Sequence, residues 1–142
     1  VSVRDAIGDC LDRFHGLALQ KGVVLAAPVV DETLAVLGDE ELLGKVLDNL
    51  VSNAVRYAKT SVAVVVTEEN RHIQISVLDD GAGIGESDLP HLFERCYKGP
   101  GGNFGLGLSI AEGIVAQHHG TIDVTCAGGF NRFRAELPCQ QE

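Results

Sequence analysis

Val3, Ile7, Leu11 and Phe14 recur at intervals of three and four, so they share one helical stripe and predict a helix over residues 2–20. Leu43, Val46, Leu47, Leu50 and Ala54 repeat that spacing and predict a second helix running to about Ala58. Asp39 suits its N-cap, and Glu40 and Glu41 complement the positive end of its dipole. Between these helices, residues 23–27 and 33–37 read as short strands around Pro28 and the acidic pair Asp31–Glu32. Val62, Val64 and Val66, then Ile73, Ile75 and Val77, carry the two-residue period of strands. A short helix led by polar residues is expected over residues 87–93. Residues 99–107 hold five glycines and one proline and are expected to be loop, opening a third helix over residues 108–118. Residues 121–126 and 132–137 predict a closing hairpin across Ala127-Gly128-Gly129-Phe130. The pattern is that of an α/β protein in two layers, with about three main helices on one face of a mixed sheet.

Length and composition narrow the setting. One domain spanning residues 1–142 is expected, long enough to bury a core without disulfide or metal staples. Hydrophobic residues make up 45% and charged residues 22%, a soluble globular balance. The net charge of −9 argues against nucleic acid and against direct contact with an anionic membrane. An anionic ligand would need a local positive site made from helix N-termini, backbone N–H groups and a few cations. Cys10, Cys96, Cys126 and Cys139 show no metal-binding spacing and are expected to be reduced thiols of a cytosolic domain. No signal peptide or membrane-spanning run is visible, and the direct start on a helical pattern is expected of a piece of a longer chain.

Three groups of residues carry candidate chemistry. Lys45, Asn49, Asn53 and Arg56 follow one another at intervals of four, four and three, placing them on one face of the second helix, away from its leucine stripe. Asparagine suits a helix interior poorly, because its side chain competes for backbone hydrogen bonds. Its amide oxygen can ligate a hard cation and its amide N–H groups can donate to phosphate. Taken alone, the row is equally a solvated helix face, and the neighbouring Tyr57 can pack against a ring or simply join the core. In Asp79-Asp80-Gly81-Ala82-Gly83-Ile84, a strand delivers a carboxylate just before glycines that let backbone approach a ligand. A carboxylate accepts from the exocyclic amine of adenine, whereas guanine opposes it with a carbonyl; the alternative is an acidic turn. In the stretch Gly99 to Leu108, glycines open a helix and expose N–H groups at its positive end, a site for phosphate. Lys98 and Arg95, just before it, can neutralise phosphate charge or stand as surface cations. Other nucleotide motifs fail: Gly44-Lys45 is followed by Val46 rather than serine or threonine, and the acidic residue precedes the glycines instead of following them by ~20 positions.

Together these residues resemble the catalytic and ATP-binding domain of sensor histidine kinases, in the superfamily shared with gyrase, Hsp90 and MutL. Asp48-Asn49-Leu50-Val51-Ser52-Asn53-Ala54-Val55-Arg56-Tyr57-Ala58 resembles the N box, and Asp79 to Ile84 the G1 box. Leu92-Phe93-Glu94-Arg95-Cys96-Tyr97-Lys98 resembles the F box, and Gly105-Leu106-Gly107-Leu108-Ser109-Ile110 the G2 box. The resemblance covers essentially the whole chain. It implies a Bergerat-type α/β sandwich with a left-handed βαβ unit and a bound ATP–Mg²⁺. It further implies that Asn49 and Asn53 face Mg²⁺ and the phosphates, and that Arg56 is a phosphate-side cation. Tyr57 is implied beside the adenine and Asp79 as the adenine-reading carboxylate. Gly81, Gly83 and Ile84 belong to the base pocket, Lys98 to the phosphate side, and Gly105, Leu106, Gly107 and Leu108 to the hinge of a lid over the phosphates. This sequence departs from the family at Cys96, where an aromatic is common, in the short stretch from Lys98 to Phe104, and at Phe104, which offers Mg²⁺ no polar ligand.

Relatives that hydrolyse ATP carry a glutamate where this chain has Asn49, and an asparagine is no base at neutral pH. Asp48, one position away, projects elsewhere on the helix. The resemblance therefore implies transfer of the γ-phosphoryl to a histidine on a separate dimerisation domain of the parent kinase, with a response regulator downstream. No phosphoacceptor HE-x-x-x-P pattern is present, and His15, His72, His91, His118 and His119 lack that context. The expected setting is the cytoplasmic part of a membrane-bound sensor kinase. Two rivals stand beside it: an anti-sigma-type protein serine kinase, and a pseudokinase that binds ATP as an interaction module without transfer.

Overall fold

The computed structural model describes residues 2–26, 35–36, 38–81 and 105–138. Helix α1 (Val3–Lys21) starts at Ser2, whose hydroxyl accepts from the N–H of Asp5, and buries Val3, Ile7, Cys10 and Ala18. Leu11 and Phe14 pack half-buried on the same core. Strand β1 (Val24–Leu25) is shorter than the hydrophobic pattern predicts. The expected strand over residues 33–37 contributes a bridge between Ala35 and Ser2, and the rest of it lies outside the described residues apart from buried Val36.

Helix α2 (Glu40–Tyr57) begins where the sequence predicts, with the Asp39 carboxylate accepting from the N–H of Leu42. Its apolar stripe is fully inside: Leu43, Val46, Leu47, Leu50 and Ala54 are buried together with Val51 and Val55. Strands β2 (Ser61–Glu69) and β3 (His72–Asp79) pair antiparallel across Asn70 and Arg71, both in the left-handed region. Val62, Val64 and Val66 of β2 and Ile73, Ile75 and Val77 of β3 point into the core. Helix α3 (Gly105–Gln117) leads to β4 (Thr121–Ala127), which pairs antiparallel with β5 (Phe130–Pro138). The turn between them is only Gly128-Gly129, with φ of 61° and 82°, angles that glycine adopts without a Cβ penalty.

The sheet order is β1-β2-β3-β5-β4, with β1 parallel to β2 and the other neighbours antiparallel. The chain thus crosses from β1 to β2 through α2, and from β3 to β4 through α3, before β5 returns into the gap between β3 and β4. Helix α2 lies between α1 and α3 and against β2 and β3. The ring of His118, just after α3, ties the two helices further. Its Nδ1 lies 2.8 Å from the Ile114 carbonyl and its Nε2 accepts from the N–H of Asp39 at 3.2 Å, which is the neutral form protonated on Nδ1.

Two further boundaries that bear on the site differ from the sequence reading. Helix α3 starts at Gly105 rather than Leu108, so Gly105 to Gly107 are helical rather than loop. Glycine disfavours helix by about 1 kcal/mol per residue, but Leu108, Ala111, Ile114 and Val115 are buried, and packing of that face carries the helix back through its first turn. Strand β5 begins at Phe130 rather than Arg132, which brings Asn131 into the sheet. The helix expected over residues 87–93 lies outside the described residues.

Asp80 fastens the end of β3 to the connection between α2 and β2. Its carboxylate accepts from the N–H groups of Lys59 at 2.9 Å, Thr60 at 2.9 Å and Ser61 at 3.1 Å, and from the Thr60 hydroxyl. The Thr60 side chain first, and these N–H groups with it, hold the Asp80 carboxyl well below the usual carboxylate range. A carboxyl more acidic in the folded than in the unfolded chain stabilises the fold above its unfolded pKa and loses that effect as pH falls below it. Asp80→Ala should therefore lower the urea midpoint at neutral pH, and the difference from wild type should shrink below about pH 4. Equal midpoints at neutral pH would show that this clamp contributes nothing.

Candidate functional site

Strand β3 ends on Asp79, which is only 1% exposed. One carboxylate oxygen, Oδ1, accepts from the N–H of Gly81 at 2.9 Å and from Nδ2 of Asn131 at 3.0 Å. The other, Oδ2, is buried with no hydrogen-bond partner among the described residues. Burial pushes the Asp79 carboxyl up from its ordinary value; the two hydrogen bonds oppose that shift and the neighbouring charge of Asp80 adds to it. A buried acceptor left open is costly unless something outside the described set completes it.

Gly81 brings this carboxylate against the end of α2. A Cβ built on Gly81 would lie 2.2 Å from the Tyr57 carbonyl oxygen and 2.9 Å from Asp79 Oδ1, so no other residue fits without backbone movement. The close approach that the Asp-Asp-Gly pattern suggests is thus first an approach of backbone to backbone. Tyr57 is half-buried and packs on the core. Burial raises the pKa of its hydroxyl, and Arg56 beside it works in the other direction.

Along α2, the polar row is graded rather than uniformly solvated. Lys45 is exposed and lines a groove of about 280 Å³ between α1 and α2, together with Arg13 and Asp48. Asn49 is half-buried and Arg56 exposed, but Asn53 is only 8% exposed. Its amide Nδ2 is buried and has no hydrogen-bond partner among the described residues. The sequence reading placed this row away from the leucine stripe; Asn53 is instead enclosed beside buried Ala54. Asp48 does project elsewhere, bound to Arg13 of α1 at 2.6 Å. Two buried side chains, one an open acceptor and one an open donor, therefore lie at the end of β3 and in the last turns of α2.

Of the other candidates, Leu108 is buried in the first turns of α3, which packs on α2. Gly105, Leu106 and Gly107 form the first residues of that helix. Gly83, Ile84, Lys98, Arg95, Cys96 and Phe104 lie outside the described residues. The described residues hold no group of three or more His, Cys, Asp or Glu able to bind a metal ion.

The sequence reading missed Asn131. It is 3% exposed and lies directly opposite Asp79 across the β3–β5 pair. The signal was present: Asn131 occupies the inward set of β5 with Phe133, Ala135 and Leu137, and a polar residue in an apolar alternation demands a partner. Starting the strand at Arg132 hid it.

Residues 38–141 match the family described as histidine kinase-, DNA gyrase B- and HSP90-like ATPase. Among curated proteins, the sensor histidine kinase CusS of Escherichia coli is 36% identical over 148 residues, which cover 97% of this chain and 30% of that protein. SenX3 of Mycobacterium tuberculosis, a sensor-like histidine kinase, is 35% identical over 147 residues, covering 97% of this chain and 36% of that protein. The chain thus spans about a third of the length of these relatives. The solved structure of the mycobacterial sensor histidine kinase MprB superposes with a TM-score of 0.89 at 23% identity, covering 100% of this chain and 99% of that one.

Proposed function

Because the chain belongs to the histidine kinase-, DNA gyrase B- and HSP90-like ATPase family, with sensor histidine kinases as relatives, we propose that it positions ATP–Mg²⁺ for γ-phosphoryl transfer to a histidine on a dimerisation domain of its parent kinase. The observation that carries this reading is the open Oδ2 of Asp79, a buried acceptor with no described partner. The exocyclic amine of adenine supplies the donor such an acceptor lacks, and guanine supplies a carbonyl that would leave it unpaired. Asn53 faces the complementary problem, a buried amide donor that a phosphate oxygen would satisfy.

Bound ATP–Mg²⁺ would supply the transferable phosphoryl group and charge neutralisation. The chain's own part is positioning and electrostatics, the usual content of phosphoryl-transfer catalysis. Asp79 reads the base, Gly81 and Gly83 keep backbone close to it, and Ile84 and Tyr57 flank it. Asn49 and Asn53 hold the metal and phosphates from α2, with Arg56 as the cation near the phosphates. Lys98 adds positive charge, and Gly105, Leu106, Gly107 and Leu108 bring the N-terminal end of α3 toward the triphosphate.

Transfer is favoured over hydrolysis by what stands near Asn49. An amide cannot take a proton from water, and the adjacent carboxylate of Asp48 is bound to Arg13 of α1. The acceptor histidine and the response regulator belong to other domains or chains on this reading, within a sensor whose catalytic part lies in the cytoplasm. Among the described residues no helix is long and apolar enough to cross a membrane.

Asp79→Asn separates the site from the fold. Because burial makes the folded Asp79 less acidic than the unfolded one, its charge opposes folding at neutral pH, and that opposition fades as pH falls. The amide variant should remain folded at neutral pH while ATP binds about 10- to 100-fold more weakly, the size of a charged hydrogen bond. An unchanged dissociation constant by calorimetry would remove Asp79 from the site. For the transfer step, incubation with γ-labelled ATP should label the histidine of an added dimerisation domain of the parent kinase and leave this chain unlabelled. Acid-labile phosphate on this chain alone would overturn that assignment.

A further inference from the structure

The Asp79 carboxylate has two oxygens, and the structure treats them differently. Oδ1 is held by two donors, Gly81 N–H and the Asn131 amide, while Oδ2 has no partner among the described residues. The terminal torsion of an aspartate is intrinsically broad, and the Gly81 N–H supplies one restraint on it. The second donor closes that freedom, and it comes from the residue directly across the sheet.

We propose that Asn131 is the positioning residue for base recognition: its amide pins one oxygen of Asp79 so that the other faces the ligand as the lone acceptor for an exocyclic amine. This rests on the reading of Asp79 as the base-reading carboxylate. The direction of the Asn131 amide follows from its partners. A carboxylate only accepts, so the nitrogen must face Asp79, and the Cys126 thiol lies 3.1 Å from the Asn131 oxygen as its donor. Asn131 thereby determines how sharply the site separates an amine from a carbonyl at the same ring position. It also helps keep Asp79 in the form that can only accept.

The groups around Asp79 come from four sides. Asp80 follows it on the chain and carries like charge. Val62 pairs with it from β2, the Tyr57 carbonyl closes the α2 side through Gly81, and Cys126 stands on β4 behind Asn131. Asn131 and Gly81 are the two groups whose hydrogen bonds favour the charged carboxylate.

The test compares two probes, ATP and inosine triphosphate, which carries a carbonyl in place of the amine. The readout is the ratio of their dissociation constants from about pH 6 to about pH 8, in which protonation of the phosphates cancels. Wild type should prefer ATP by at least about tenfold across this range. Asn131→Leu, which keeps the bulk and removes the donor, should lower the ratio several-fold at the upper end and drive it toward one as pH falls. Asn131→Asp should show the opposite slope. Two carboxylates face each other at high pH, and on acidification the pair takes up a proton that restores a hydrogen bond between them. The ratio compares ligands on the same folded population, so partial destabilisation does not mimic the effect, and Asn131→Leu decides alone where Asn131→Asp fails to fold. A ratio for Asn131→Leu within about twofold of wild type at every pH, or parallel losses in both variants with no pH slope, overturns the proposal while leaving Asp79 in place. Wild-type protein that binds both nucleotides equally overturns the reading of Asp79 and the proposal with it.

Discussion

The structure depends on one awkward group, a carboxylate buried at the point where β3 meets the end of α2. Asp79 is 1% exposed, and one of its oxygens has no described donor. Burial alone would favour the protonated acid, so the neighbourhood is arranged to resist it. The Gly81 N–H turns back on the carboxylate, which requires the chain to bend immediately after β3. That bend brings Gly81 so near the Tyr57 carbonyl that a methyl group would not fit. Asn131 is delivered by the β3–β5 register, which sets it directly opposite Asp79. A shift of one residue in that register would turn Asn131 outward and take the donor away.

Helix α2 carries a conflict of a different kind. Its apolar stripe supplies a large part of the core, with Leu50 and Ala54 fully buried. Its polar row continues to Asn53, which is buried as well, so in its last turns little of the helix faces water. A leucine-like residue at position 53 would suit the core better than an amide whose N–H has no partner among the described residues. On the proposed reading, both Asn53 and Asp79 are kept in forms that disfavour the empty fold, and the ligand completes them. Local cost at a binding site of this kind is the expected relation between stability and function.

Much of this was legible from residue spacing. The Asp39 cap, the stripe of α2, the alternation in β2 and β3 and the closing hairpin each follow from local periodicity and turn chemistry, and the structure has them. What escaped depends on contacts between distant segments. Gly105, Leu106 and Gly107 look like loop in isolation and become helix because α3 buries Leu108 and Ala111 and packs on α2. Asn131 has no local signature as a partner of Asp79; only the sheet register brings together two residues 52 positions apart. The burial of Asn53 is equally nonlocal, since the i, i+4 rule places it on a face without saying what covers that face. The motifs that resemble the kinase boxes identified the family correctly, but they left out Asn131, the residue that supports Asp79.

The same distinction bears on what chemistry the domain performs. A hydrolase of this fold needs a carboxylate placed to take a proton from water, and α2 has a carboxylate one residue from the relevant turn. Asp48 nevertheless lies about 100° around the helix from Asn49, because successive residues advance by that angle. Arg13 of α1 holds it there through an ion pair at 2.6 Å. Moving Asp48 toward the nucleotide face would require breaking this pair and rotating a helix whose opposite stripe is locked in the core. On the proposed reading, the packing of α1 on α2 does more than bury Ile7 and Cys10: Arg13 gives the carboxylate next to Asn49 a partner away from the phosphates. On the proposed reading, the phosphoryl group then leaves only when another domain presents a nucleophile.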